Sequence, residues 1–521
     1  MTNHKEDWMQ ERGFRLLFII SALWGALIFW VAPHPPMVDL PQHAGQVVLL
    51  KQMLLGQSPW ADQLRINLFT PYIIGYGLAL PLSFLMPVAA ALKLLLSAAY
   101  LAFVCMCVTL RRQFGGDARL DWLFLLSFFG FAYTWGFFTF LIASPIGLYF
   151  ILQAERYAAS PTSARAAMVV AIGLAMLASH GLVFLFASTV GAAILAVRVR
   201  WFKPLLKAAW PYMLLAIACG AYFLINQRIN AGLQTGLEQG TRWHWDALRR
   251  LPLLYTVGAG TQRSPNTYYW CIVILFAMAP WVMGLRIQWR RKSNWIAFAI
   301  VALIILAVPH FAMNTAFLYE RFALFLAPAY AWMFTAKPSG ETLSAAQGSS
   351  SSRRTGVVIL MAGACWTMLG VHTSRAWRFA QESAEFDAVL KALEPKQRAL
   401  SLIYERNSAA ANTNNLYLHY PLWYQAEKSG FVDFNFAWFP PQIVRYRPEH
   451  LPAVATLFEW HPHTLDWQKH RAVEYRYFIV RHGGKAPAML FNGAECKPVP
   501  VSRSGSWSVY ERRPCPSTTA P

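Results

Sequence analysis

The sequence predicts an α-helical polytopic membrane protein with about eleven transmembrane helices and a C-terminal α/β domain outside the cytoplasm. Three observations predict it. Of the 521 residues, 56% are apolar types and only 14% are charged, where a soluble domain carries about 25%. The mean hydropathy is +0.33. Finally, short clusters of Lys and Arg punctuate the apolar runs in nearly every second loop, which is the pattern that sets membrane orientation.

Apolar runs long enough to serve as spans are Leu16–Ala32, Val88–Leu110, Leu120–Phe137, Thr139–Ala154, Ala166–Ser179, Leu182–Val197, Ala208–Ile225, Tyr269–Leu285, Trp295–Val308, Phe322–Phe334 and Gly356–Val371. The first has no small-residue cleavage site and reads as a retained helix rather than a signal peptide. Phe69–Met86 is also apolar, but Pro71, Gly75, Gly77 and Pro81 suit a re-entrant or interfacial helix better. Treating it as a span would also break the charge alternation. The inner segments then carry Arg12 and Arg15, Arg111 and Arg112, Arg156 and Arg165, Arg198 to Lys207, Arg286 to Lys292, and Lys337 to Arg354. That places the N-terminus in the cytoplasm and the C-terminus in the periplasm of a bacterial inner (plasma) membrane.

Two domains follow. Residues 1–372 form the helical membrane domain, with a large first outer loop at 33–87. Residues 373–521 form a periplasmic α/β domain, with a helix at Ser383–Leu393 and strands at Arg398–Tyr404, Tyr475–Val480 and Trp507–Glu511. Cys496 and Cys515 are candidates for a disulfide in that domain. Lys337–Arg354 is a polar, Ser-rich linker.

The formal charge of +21 does not indicate nucleic acid, because the basic residues sit between apolar runs and meet membrane lipids instead. No Walker A loop, HExxH or GxSxG is present, so ATP-driven transport and two hydrolase classes lose support.

Candidate chemistry concentrates in outer segments. Asp39 follows the first span, and His43 lies four residues on, in VDLPQHAGQ. With Pro41 in the first turn of a helix, Asp39 suits the N-cap. Alternatively, a carboxylate at the membrane surface can take a proton from a lipid-held substrate. A divalent cation bound by Asp39 and His43 is a further alternative, although two ligands are too few to assign a metal, and the cofactor question stays open. Later, Glu320 and Arg321 precede a Pro-containing apolar run, and Arg321 suits either a phosphate or an interfacial anchor. The long outer loop 226–267 holds Arg228, Arg242, Arg249, Arg250 and Arg263, read as solvated charge or as an anion site. Within it, Trp243–Tyr255 reads as an interfacial amphipathic helix. His180, in LASHGLVF, reads as a helix-end group or a catalyst.

This order of features resembles the C-type membrane glycosyltransferase superfamily. The resemblance rests on Asp39 in VDLPQHAGQ as a first-loop acid, on Phe69–Met86 as a juxtamembrane segment, and on Tyr319-Glu320-Arg321-Phe322 late in the helical core. Some members carry an acidic pair near the loop start; here Asp62 lies well downstream. The resemblance implies a polyprenyl-phosphate-linked sugar as donor. It also implies Asp39 as base or acceptor-orienting group, and Arg321 with the outer-loop arginines, Arg249 and Arg250 among them, on the departing phosphate; His43 stands beside Asp39 as a second catalytic candidate. The competing reading from the same sequence is a non-enzymatic membrane protein, such as a glycan or lipid flippase or an envelope assembly factor.

Overall fold

Side-chain positions come from a computed structural model, which describes residues 2–229, 241–243, 250, 267–313, 315–336, 347–484, 487 and 490–515. Arg249, Arg263, nearly all of the expected helix Trp243–Tyr255 and most of the Ser-rich linker lie outside the described residues.

Two compact groups of residues organise the chain. One joins Met1–Val31, Leu94–Phe223 and Gly240–Ser374; the other joins Ala32–Lys93, Leu224–Gln239 and Arg375–Pro521. The C-terminal segment therefore clusters with the first loop.

The first group is helical. Its opening span shows why. Leu16, Ile19, Ile20, Leu23 and Leu27 are exposed at helical spacing, while Ala22, Ala26 and Phe29 are buried. One stripe meets lipid and the other meets protein. Trp366 Nε1 donates to Ser21 Oγ at 2.8 Å and Trp24 Nε1 donates to Thr373 Oγ1 at 3.0 Å, tying the first span to the last. Gly25 permits the close approach of Tyr100, whose Oη would lie 2.3 Å from an added Cβ.

The expectation of eleven spans needs correction. Among the described residues, six helices are long and apolar enough to cross a membrane: Arg12–Val31, Val88–Phe114, Phe138–Ala159, Gly181–Arg198, Trp210–Ile229 and Arg354–Lys391. Ser163–Ser179, Tyr269–Val282 and Ser293–Ala307 are apolar but shorter. The run Leu120–Phe137 is not one helix. It divides into a 3-10 turn at Ala118–Asp121 and short helices Trp122–Ser127 and Phe131–Trp135, the last ended by left-handed Gly136 at φ 87°. Its side chains are buried on all sides, so its hydrophobicity serves the protein interior rather than lipid. The run Phe322–Phe334 yields only the helix Ala323–Ala331, which contains Pro328, before Phe334–Thr335 pairs antiparallel with Arg286–Ile287. Apolar composition alone does not separate a lipid-facing span from a core segment.

The second group carries a five-stranded mixed sheet outside the spans. Its order is Val499–Ser504, Trp507–Glu511, Tyr477–Arg481, Arg398–Ile403, Phe431–Asp433. Arg398–Ile403 runs parallel to both of its neighbours, and the remaining pairs are antiparallel. Five of its six residues are buried, as a strand covered on both faces requires. The expected tail helix is the end of one continuous helix, Gln347–Lys391. Leu64–Ile66 of the first loop pairs antiparallel with Val444–Tyr446. The helix Leu40–Leu54 packs on Leu422–Lys428, with Gly45 leaving room for the Gln425 amide.

Cys496 and Cys515 form a disulfide with a Cα–Cα distance of 5.6 Å across 19 residues. Non-reducing mass spectrometry of the purified protein is expected to find this bridged peptide pair. Replacing both cysteines by serine is expected to cost about 3 kcal/mol, the loop-closure term for a ring of this size. Two alkylatable thiols in protein recovered from an oxidising compartment would refute the bridge.

Candidate functional site

Asp39 occupies the N-cap position of Leu40–Leu54, with Pro41 in the first turn, but its side chain makes no capping hydrogen bond. Asp39 is only 6% exposed, and its Oδ1 lies 3.5 Å from His419 Nε2. His419 belongs to the C-terminal segment, after the strand Arg398–Ile403.

The hydrogen-bond network fixes the tautomer of that histidine. Gln42 Oε1 accepts the Phe436 N–H at 2.9 Å, which sets the orientation of its amide. Gln42 Nε2 therefore donates to His419 Nδ1 at 3.1 Å. With Nδ1 accepting, the ring proton sits on Nε2, the nitrogen 3.5 Å from Asp39 Oδ1. Burial pushes the imidazole down to about 3, so His419 is neutral at neutral pH and offers Asp39 a dipole rather than a charge.

His43, one turn after Asp39, is 4% exposed. Its Nδ1 lies 2.7 Å from Tyr76 Oη, and Tyr76 donates to Gln442 Oε1 at 2.5 Å. The tyrosine proton is thus committed to Gln442, so His43 donates from Nδ1 and its Nε2 carries the lone pair when the ring is neutral. The ring also meets Phe436 edge-on at 5.7 Å. Gln46, one turn further along, accepts the Val444 N–H at 2.9 Å. Three successive polar residues on one helix face, Gln42, His43 and Gln46, are all buried against first-loop and C-terminal partners.

The other candidates lie in the first compact group. Glu320 is buried in a 3-10 turn and contacts His310 Nδ1 through Oε1; Oε2 is buried without a hydrogen-bond partner among the described residues. Arg321 donates to the carbonyls of Phe317 and Ala316 at 3.2 and 3.0 Å and stacks over Phe137. Arg250 donates to the carbonyls of Ile305 and Val308 and stacks over Tyr319. The Arg250 contacts satisfy carbonyls at the C-terminal end of the helix Ser293–Ala307, whereas the Arg321 acceptors lie in and just after the short strand Thr315–Ala316. His180 accepts the Leu182 N–H at 3.2 Å and so caps the following helix. No group of three or more His, Cys, Asp or Glu suited to a metal ion occurs among the described residues.

The structure thus joins Asp39 and His43 to partners that the sequence reading did not single out: His419, Gln42, Tyr76 and Gln442. The only advance signal was the run of polar residues in an otherwise apolar helix. His419, embedded in LYLHYPLWY, gave none.

No family model matches the chain, and no curated protein matches it. Solved structures do. The crystal structure of ArnT from Cupriavidus metallidurans bound to undecaprenyl phosphate aligns with a TM-score of 0.54 at 11% identity, covering 96% of this chain and 98% of that one. The arabinofuranosyltransferase AftD from Mycobacteria aligns at 0.45 and 14% identity, covering 95% of this chain and 40% of that one. A mutant form of AftD gives 0.43 and 14%, with 95% and 41% covered. The ArnT alignment runs over nearly the whole of both chains, and what it establishes is a shared fold: a polytopic helical membrane protein with a C-terminal mixed-sheet domain.

Proposed function

We propose that the chain is a membrane glycosyltransferase that moves a sugar from a polyprenyl-phosphate donor to a lipid, glycan or protein acceptor at the outer face of the inner membrane. The observation that carries this reading is the Asp39 carboxylate, which is buried just beyond the first span and not spent on capping its own helix. The whole-chain fold likeness to a structure holding undecaprenyl phosphate supports it.

In this reaction Asp39 takes the proton of the acceptor hydroxyl as its oxygen bonds to the sugar C1. The C1–O bond to the phosphate breaks, and the polyprenyl phosphate departs with the electron pair. His419, neutral at neutral pH, lies 3.5 Å from the Asp39 carboxylate and does not share its proton. His43, fixed through Tyr76, lies one turn along the same helix. Arg321 and Arg250 act by shaping the segments that they bond rather than by gripping the phosphate first.

Lipid-linked glycan profiles of cells with and without the protein test this reading. Accumulation of a polyprenyl-phosphate sugar in the deletion is expected, and unchanged profiles would favour a flippase or assembly role. The outward-facing site also requires an orientation. Reporter fusions after Arg112, Lys292 and Arg354 are expected to report inside, and fusions after Thr261 and Arg378 outside. A cytoplasmic report after Arg378 would sink the proposed chemistry at the outer face.

A further inference from the structure

A second site lies in the C-terminal sheet, at the end where its two parallel partners begin. A cavity of about 590 Å³ opens there, within the range of roughly 300–1,000 Å³ typical of small-molecule sites. Gln397 and Arg398 line it from the start of one strand, and Glu474 and Arg476 from the approach to the next. Glu511 closes the antiparallel strand beside them, and Arg512 to Pro514 continue the wall. The Cys496–Cys515 bridge anchors that last stretch. Trp60, from the first loop, completes the lining.

We propose that this pocket binds a neutral saccharide. The charge pattern decides against an anion. Arg398 pairs with Asp433 at 2.8 Å and Glu474 at 2.5 Å. Arg476 pairs with Glu394 at 2.6 Å and Glu511 at 3.0 Å, and Arg513 with Glu511 at 3.2 Å. With Arg512 included, four guanidinium groups face four carboxylates, so the wall carries no net charge to draw in a phosphate, and three of the four guanidinium groups are already bonded to carboxylates. An apolar ligand is disfavoured for the opposite reason, since it would strip water from these groups without replacing it.

An uncharged polyol fits both conditions. Arg512 gives its Nε–H to the Tyr475 carbonyl at 3.2 Å, and its terminal amino groups have no protein acceptor among the described residues. They form a planar fork of donors suited to adjacent hydroxyls. The carboxylates of Glu474 and Glu511 and the Gln397 amide supply acceptors in the same wall. Trp60 stacks one face on Phe431 at 5.0 Å and stays partly exposed. Its remaining surface offers an apolar platform for the C–H face of a pyranose ring. The inference does not depend on the transfer chemistry proposed for Asp39.

The test uses the full chain in nanodiscs and saturation-transfer NMR. The neutral probes are maltose, cellobiose and N-acetylglucosamine, with galacturonic acid and inorganic phosphate as anionic probes. At least one neutral probe is expected to bind saturably at millimolar concentration. Trp60→Ala and Arg512→Ala are each expected to weaken it by about tenfold or more. Arg512→Gln, which keeps a planar donor, is expected to fall between wild type and Arg512→Ala, and it covers the case in which Trp60→Ala misfolds. Saturable binding by no neutral probe, or by the anionic probes alone, would overturn the proposal. So would binding that survives both alanine variants but vanishes in Asp39→Asn, because that signal belongs to the other site.

Discussion

Asp39→Asn is expected to slow sugar transfer by about a hundred- to ten-thousand-fold, the usual loss for a positioned acid or base. Its membrane level and monodispersity in detergent should stay near wild type. The structure sharpens this expectation. An N-cap role would have made Asp and Asn nearly equivalent, but the Asp39 side chain makes no capping bond. It lies 3.5 Å from His419 Nε2 instead, and an Asn side chain of the same size can keep that contact. The substitution thus keeps a side chain of the same size beside His419 and removes the capacity to take a proton. Asp39→Ala is expected to lose transfer to the same extent. The measurement is transfer per mole of monodisperse protein for both variants. Near wild-type turnover in Asp39→Asn would remove the carboxylate from the mechanism.

The second large effect concerns folding. Asp433 is fully buried and accepts four hydrogen bonds: two from Arg398, at 2.8 and 3.2 Å, one from Tyr446 at 2.8 Å and one from Tyr475 at 2.9 Å. Burial, reinforced by the nearby Asp433 charge, pushes both tyrosine hydroxyls upward, so they remain donors. Asp433→Ala would strand the Arg398 charge with only Glu474 and leave two buried hydroxyls without acceptors. Breaking such a pair costs about 3–5 kcal/mol, or roughly 6–20 °C in the melting temperature of a region this size. The double variant Asp433→Leu with Arg398→Met removes both charges and is expected to melt above Asp433→Ala. Thermal melts of the purified protein, followed by proteolysis of the C-terminal segment, read this directly. A melting temperature unchanged in Asp433→Ala would show that the four hydrogen bonds contribute nothing net.

Much of this architecture was legible before any coordinates, and the failures have physical reasons. Hydrophobic runs located six long helices because a span needs length and apolarity together. They failed at Leu120–Phe137 and Phe322–Phe334, where the same apolarity fills a protein core and Gly136 and Pro328 limit helix length. Aromatic and β-branched content found three strands of the sheet. It missed Phe431–Asp433 and Val444–Tyr446, each of three residues, and Val499–Ser504, which is Ser-rich and lies at the edge. At the candidate site, Asp39 and His43 stood out by position after the first span. His419 and Gln442 did not, because their roles depend on pairing across more than three hundred residues.

That separation has a consequence in time. Gln42 and His419 are 377 residues apart in the chain. At about 5–20 residues per second, a ribosome needs roughly 20–75 s to deliver the second after the first. During that interval the first-loop helix is already synthesised while His419 and Gln442 do not yet exist. A half-made chain therefore holds the Asp39 carboxylate without its His419 neighbour, and the cluster around it is complete only when synthesis is nearly finished.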